Sequence, residues 1–274
     1  MLAILLIILI SASAILWIAS RTWRVTRRRK RLTRTPFPHA WRSILKKRIP
    51  FFRSLPADLQ LQLKKHIQVF IAEKQFVGCD GLEIDDDIRV TVAAQACLLL
   101  LNRKTDFYPH LTEILIYPSV FIVNNEQRDS NGLVSERRRV LSGESWQHSK
   151  VILSWQTAKE GAAVPNDGSN VVIHEFAHQL DQEDGHANGA PILTRSQDYA
   201  SWSTVMMQEY QYLVEASQCQ QYSLFSYYGA TNPAEFFAVI SEVFFEQPQD
   251  FLALHTALYN ELSSFYKLDP VNWH

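Results

Sequence analysis

The sequence predicts an α+β domain, helices around a small sheet, set behind an N-terminal transmembrane helix. Three observations carry this reading. Runs rich in β-branched and aromatic residues cluster between positions 112 and 155. Segments with 3.6-residue apolar periodicity stand on either side of them. The chain also opens on an uncharged apolar stretch. At 274 residues, with 47% apolar and 20% charged, it has the composition of a folded protein and room for one substantial domain.

Leu2 to Ala19 is apolar except for Ser11 and Ser13. As a helix this stretch spans roughly 27 Å, enough for a bilayer core, with Trp17 near its end where an interfacial aromatic belongs. Residues 21–48 follow with twelve Lys/Arg and no Asp/Glu. A cleaved signal peptide is the competing reading. It requires a basic start, which Met1-Leu2-Ala3 lacks, and export of Arg27-Arg28-Arg29-Lys30-Arg31. The expectation is therefore a single-pass anchor over residues 1–20, held in the bilayer through 2–19. A basic juxtamembrane linker over 21–50 then lies on anionic head groups or simply sets topology, and a domain over 51–274 sits on the cytoplasmic side of the inner membrane. That domain holds 15 of the 27 basic residues against all 28 acidic ones, a net −13, so direct nucleic-acid binding is not expected. Cys79, Cys97 and Cys219 have no metal-type spacing and read as reduced cytosolic thiols.

Within the domain, Ser54-Leu55-Pro56 opens a helix to about Glu73, and Phe76 to Leu82 reads as a loop. Asp85, Asp86 and Asp87 suit the positive start of a helix to about Asn102, with cation binding as the alternative for this triplet. Thr112–Asn124, Leu133–Leu141 and Val151–Trp155 read as strands, and an exposed edge of their sheet is a place where a peptide can add as a strand. Later helices are expected at Asp198–Val214, from Asn232 onward, and over Pro248–Tyr266. No internal repeat is present.

The chemistry concentrates in Asn170–Gly185, which contains His174-Glu175-Phe176-Ala177-His178. On a helix the two histidines stand one turn apart on one face and can hold one zinc ion, with Glu175 beside the open position as a proton acceptor for water. Asp167, Ser169 and Asn170 offer capping oxygens, and Gly185 a stop. Asp181 shares the histidine face and is expected to orient a ligand imidazole by accepting a ring N–H. The plain alternative is an amphipathic core helix with two solvated histidines.

A catalytic zinc needs a third protein ligand. Asp184 lies ten residues after His174, where compact zincins place theirs, but Asp181 occupies the position that needs a turning glycine. His186 falls two residues too far. Thermolysin-like sites instead take a Glu from a second helix, and Glu235 and Glu242 are seven residues apart on similar faces. Glu235 also has a bland explanation. Asn232 as cap, Pro233 at the first helical position and Glu235 at the third form a helix start. Glu242 is the other candidate ligand, or a group that supports the ligands from behind.

The combination of Asn170–Asp181 with Tyr-Gly-Ala-Thr-Asn-Pro-Ala-Glu-Phe-Phe-Ala-Val at 228–239 resembles the Mlc titration factor A family of zinc metallopeptidases. That family is similar in its catalytic core to the anthrax lethal factor protease. The likeness spans roughly residues 37–270 and includes Phe76-Val77-Gly78, Ile116-Tyr117-Pro118 and Ser142–Trp146. It implies a zincin-like metallopeptidase domain with one Zn2+ on His174, His178 and Glu235. It further implies Glu175 as general base and Tyr228 as the active-site tyrosine, which by itself reads as one more aromatic in a Tyr-rich turn. The family's best-known member is a soluble cytosolic protein that cleaves peptides from the amino end and binds the repressor Mlc. The resemblance thus implies a peptide or protein substrate, an aminopeptidase-like preference and an Mlc-like repressor as partner. A non-enzymatic zinc domain that sequesters a repressor, and a structural protein with an empty site, are the rival readings.

Overall fold

Pairing between distant short runs sets the centre of the molecule. The computed structural model describes residues 11, 15, 17, 19–104, 106–128, 134–141, 143–146, 149–193 and 199–273. Strands β1 (Gln75–Gly78), β2 (Glu113–Tyr117), β5 (Gly143–Trp146) and β6 (Lys150–Ser154) form a four-stranded sheet in the order β1-β2-β6-β5. The first three neighbours are parallel, with Ile114 opposite Val151, and β5 closes antiparallel on β6. β2 alternates between buried and half-buried residues, whereas four of the five residues of β6 are buried. β3 (Phe121–Arg128) and β4 (Val134–Leu141) form a separate antiparallel pair.

The helices are α1 (Arg21–Arg34), α2 (His39–Arg48), α3 (Ala57–Glu73), α4 (Asp86–Leu98), α5 (Trp155–Ala163), α6 (Val171–Asp181), α7 (Tyr199–Cys219), α8 (Pro233–Glu246), α9 (Pro248–Leu254) and α10 (Thr256–Tyr266). α4 is the central one, buried from Val90 to Leu98. Its acidic start is fully engaged: Asp85 accepts from Ile88 N at 2.9 Å, Asp86 from Trp41 Nε1 at 2.8 Å, and Asp87 pairs with Arg48. Those contacts account for the triplet without a cation. Phe70, Tyr108 and Phe176 pack with ring centroids 4.9–6.2 Å apart, joining α3 and the 107–111 loop to α6. Lys74 Nζ donates to Tyr108 O at 2.6 Å and Leu111 O at 2.7 Å, holding that loop in place.

Several expectations are corrected. Of the expected transmembrane stretch only Ser11, Ile15, Trp17 and Ala19 are described, and the rest lies outside the described residues. Among the described residues no helix is long and apolar enough to cross a membrane. The described residues therefore form an α+β fold, and neither the transmembrane helix nor the single-pass inner-membrane location is supported. α1, the helix that follows, carries an arginine or lysine at eight of fourteen positions, a composition no bilayer core accepts. Through Arg29 it binds Glu73 at 2.8 Å and Asp106 at 2.6 Å.

Smaller differences have local causes. The expected 76–82 loop begins as strand β1, because parallel pairing with β2 outweighs a short, glycine-ended run. The 112–124 run is two strands belonging to two different sheets. The last helix breaks at His255, which ends α9 and begins α10. Helix α5, with Ser154 accepting from Thr157 N as its cap, was not expected.

Two measurements test this architecture. A Cβ added at Gly78 would lie 1.8 Å from Leu82 O, a backbone atom that cannot swing away. Gly78→Ala is expected to cost about 3 kcal/mol in chemical denaturation. His66 packs edge-on to Phe107 at 5.2 Å, and its Nδ1 has no partner among the described residues. Burial lowers its pKa to about 4, so the unfolded chain takes up this proton first as pH falls. Stability is expected to drop between pH 6.5 and 4, and less steeply in His66→Leu, as read from urea midpoints.

Candidate metal centre

The site begins with the cap of α6. Asn170 Oδ1 accepts from the backbone N–H of Val172 and Ile173, both at 3.1 Å, satisfying two donors that a helix start leaves free. Val172, Ile173, Phe176, Ala177 and Leu180 are buried in the core, which turns His174 and His178 to the other face. Their rings lie 4.9 Å apart at 82°.

α8 supplies the facing groups. Asn232 caps it by accepting from Glu235 N at 3.0 Å, and Pro233 follows at the first position. The loop after α6 approaches this start so closely that a Cβ at Gly189 (φ +74°) would lie 2.4 Å from Pro233 O. The Glu235 side chain reaches away from the capping box. Its Oε2 lies 3.0 Å from His174 Nε2 and 3.3 Å from His178 Nε2. Two turns on, Glu242 Oε1 lies 2.8 Å from His174 Nδ1, and Glu242 Oε2 accepts from Asn170 N. Glu242 thus leaves Nε2 of His174 turned toward Glu235.

Donor chemistry and spacing fit a divalent cation. One ligand atom each from His174, His178 and Glu235 lies within 4.8 Å of the others. Two imidazole nitrogens and a carboxylate oxygen suit zinc, whose bonds of about 2.0–2.2 Å at tetrahedral angles separate donors by roughly 3.3–3.6 Å. The electrostatics favour positive charge here. Burial opposes a charge on His174, but the hydrogen bonds to Glu235 and Glu242 outweigh it and raise its pKa. Burial likewise pushes Glu235 up, and the two histidines overcome it, holding its carboxyl below the usual range. Glu175 is 5% exposed, and its Oε2 has no hydrogen-bond partner among the described residues. Burial pushes its carboxyl up to about 7 against the pull of both histidines. A buried polar atom left unpaired costs about 1–3 kcal/mol, which argues that something outside the chain meets it.

Of these groups His174 and Glu175 line a cleft of about 470 Å³. His174, Glu175 and Glu242 lie on one side, α5 on another, and Tyr228 and residues 167–169 at its rim. The Tyr228 ring is half-exposed, with its centroid 5.8 Å from that of His174. Asp181 is placed elsewhere. Fully buried, it accepts from Gly189 N at 2.9 Å through Oδ2 and so holds the loop, while its Oδ1 has no hydrogen-bond partner among the described residues. Asp184 accepts from His186 N at 3.1 Å in that loop, and neither residue belongs to the donor group. One nearby carboxylate escaped the sequence reading. Glu246 binds the backbone ahead of α6. Its signal was its spacing, four residues after Glu242 on the same helix face.

A family model for the glucose-regulated metallo-peptidase M90 matches residues 23–267. An uncharacterized protein of Synechocystis sp. is 40% identical over 270 residues, 98% of each chain. Mlc titration factor A of Enterobacter sp. is 34% identical over 226 residues, covering 81% of this chain and 84% of its own. The protein of that name from Salmonella typhi is 34% identical over 225 residues, with the same coverage. The likeness to Mlc titration factor A read from the two motifs therefore extends over most of the sequence, and the chain belongs to the glucose-regulated metallo-peptidase M90 family.

Proposed function

We propose that this protein is a zinc-dependent peptidase in which His174, His178 and Glu235 hold the metal and Glu175 moves the proton. The observation that carries the reading is the convergence of those three donors, with the unpartnered Oε2 of the neighbouring Glu175, at a site that opens to a cleft through His174 and Glu175. Membership of a metallopeptidase family supports it. When bound, zinc supplies Lewis-acid chemistry, polarising a carbonyl and making water easier to deprotonate. The chain's own residues do the rest. Glu175 accepts a proton from the attacking water as its oxygen adds to the scissile carbonyl, and returns that proton to the departing amine as the C–N bond breaks. Tyr228, at the rim beside His174, donates its phenol hydrogen to the developing oxyanion. Glu242 holds the His174 ring by accepting from Nδ1, the usual support for a metal-binding imidazole. An aminopeptidase preference rests on the family resemblance.

The name of two of the relatives, Mlc titration factor A, favours a second reading. There the zinc domain binds an Mlc-like repressor, with or without peptide cleavage.

Two experiments on the full chain separate these. Zinc affinity measured by chelator competition is expected to fall about ten- to a hundredfold in Glu242→Ala, and further in Glu235→Ala. Equal affinity in Glu235→Ala and the parent would remove Glu235 from the ligand set. Glu175→Gln is expected to retain zinc and lose at least about a hundredfold in turnover of quenched fluorescent peptides. Unchanged turnover would sink the role of Glu175. A parent that binds zinc but cuts none of the peptides would favour the repressor-binding reading.

A further inference from the structure

We propose that Glu246 is a positioning residue that holds the 167–169 rim of the cleft, and through it sets how tightly a peptide is bound rather than how fast it is cut. The proposal rests on the peptidase reading for its consequence, but its structural basis is independent of it. Glu246 lies eleven residues after Glu235 on α8 and is 7% exposed. Its Oε2 accepts from Gly168 N and Ser169 N, both at 3.1 Å, and its Oε1 accepts from Asn170 Nδ2 at 3.0 Å. A single side chain therefore gathers three consecutive residues. Two of them, Gly168 and Ser169, line the cleft with His174 and Glu175. The third is the cap of the histidine helix.

The neighbouring residue reinforces the strap. Gln247 Nε2 donates to Asn166 O at 3.1 Å, and a Cβ at Gly168 (φ +79°) would lie 2.8 Å from Gln247 Oε1. The rim thus fits against the end of α8 with no room to spare.

The three glutamates of this helix face have separate partners. Glu235 meets the Nε2 atoms of both histidines, and Glu242 meets His174 Nδ1 and Asn170 N. Glu246 touches neither histidine. Loss of its carboxyl loosens the rim while leaving both histidines on Glu235 and His174 on Glu242. The ionisable groups facing Glu246 are Asp167 from the rim and Glu242 from its own helix. Burial, the Asp167 side chain and the Glu242 charge hold its pKa up at about 8, against the hydrogen bond from Asn170.

The test compares Glu246→Gln, Glu246→Asp and Glu246→Ala with the parent, all as full chains loaded with zinc. The substrate is the quenched peptide that the parent cuts fastest. Glu246→Ala and Glu246→Asp are expected to raise KM about tenfold with kcat within about threefold and zinc per chain unchanged. Glu246→Gln keeps one accepting oxygen and is expected to raise KM less than Glu246→Ala does. A KM within twofold of the parent in Glu246→Asp, which retains a carboxyl and is the variant most secure in folding, would overturn the proposal. So would a fall in kcat and zinc content with KM unmoved. Hydrogen exchange at the Gly168 and Ser169 amides tests the strap where no peptide is cut. Protection in the parent that is lost in Glu246→Asp supports it, and unprotected amides in the parent refute it.

Discussion

The structure depends on the docking of one helix face against the start of another. α8 presents Glu235, Glu242 and Glu246 along one side, and α6 with the residues ahead of it meets them with imidazoles, backbone N–H groups and an amide. Each carboxylate loses hydration on burial, a cost of several kcal/mol for an ion left unpaired. Each recovers it through N–H donors whose own alternative, away from water, is to go unsatisfied. Either helix alone would be a poor element. A helix with three glutamates in an otherwise phenylalanine-rich sequence needs this partner, and the histidine helix needs these acceptors.

What makes the docking rigid is the opposite face of each helix. Phe176 packs against Phe70 and Tyr108, while Phe237 packs against Trp202 and Phe265. Phe244 stacks with Tyr266, whose hydroxyl donates to Ser241 Oγ at 2.8 Å. Burying a large aromatic side chain stabilises by about 2–3 kcal/mol. The polar seam therefore sits between two apolar clusters that fix its spacing to within a hydrogen bond. Asn170 is the hinge of the arrangement: its oxygen caps α6, while its amide nitrogen and backbone N–H reach Glu246 and Glu242.

Much of the site was legible because its signals are local. The spacing of His174 and His178 depends only on helix geometry, and Asn232-Pro233 announces the start of α8 without reference to anything distant. The choice of Glu235 over Glu242 as the carboxylate nearest both Nε2 atoms was not local. It depends on how far α8 slides along α6, which Gly189 and Pro233 set by close approach. Asp181 shows the same limit: helical spacing put it on the histidine face, yet the returning loop takes its carboxylate first. The sheet was less legible still. Four residues at 75–78 become a strand only because β2 lies beside them, and a parallel neighbour leaves no turn in the sequence to mark it. The apolar opening of the chain gave a membrane expectation from composition alone. Among the described residues, the helix that follows is instead bound to the domain by ion pairs to Glu73 and Asp106.

The contrast between Glu175 and the carboxylates around it gives the last step. Glu235, Glu242 and Glu246 all have nitrogen partners within the chain, as buried polar groups generally do. Glu175 sits one residue from a ligand candidate, is as buried as they are, and leaves Oε2 without a partner among the described residues. A side chain chosen for stability at that position would be apolar, because the helix around it is packed by Val172, Phe176 and Ala177. A carboxylate there lowers the stability of the helix, and unlike Asp181, whose Oδ2 accepts from Gly189 N, it lies beside the donor group. Such an exception is expected where a residue is kept for what it does to a substrate rather than for what it does to the fold. The rigid seam on either side of Glu175 is what allows the fold to retain it.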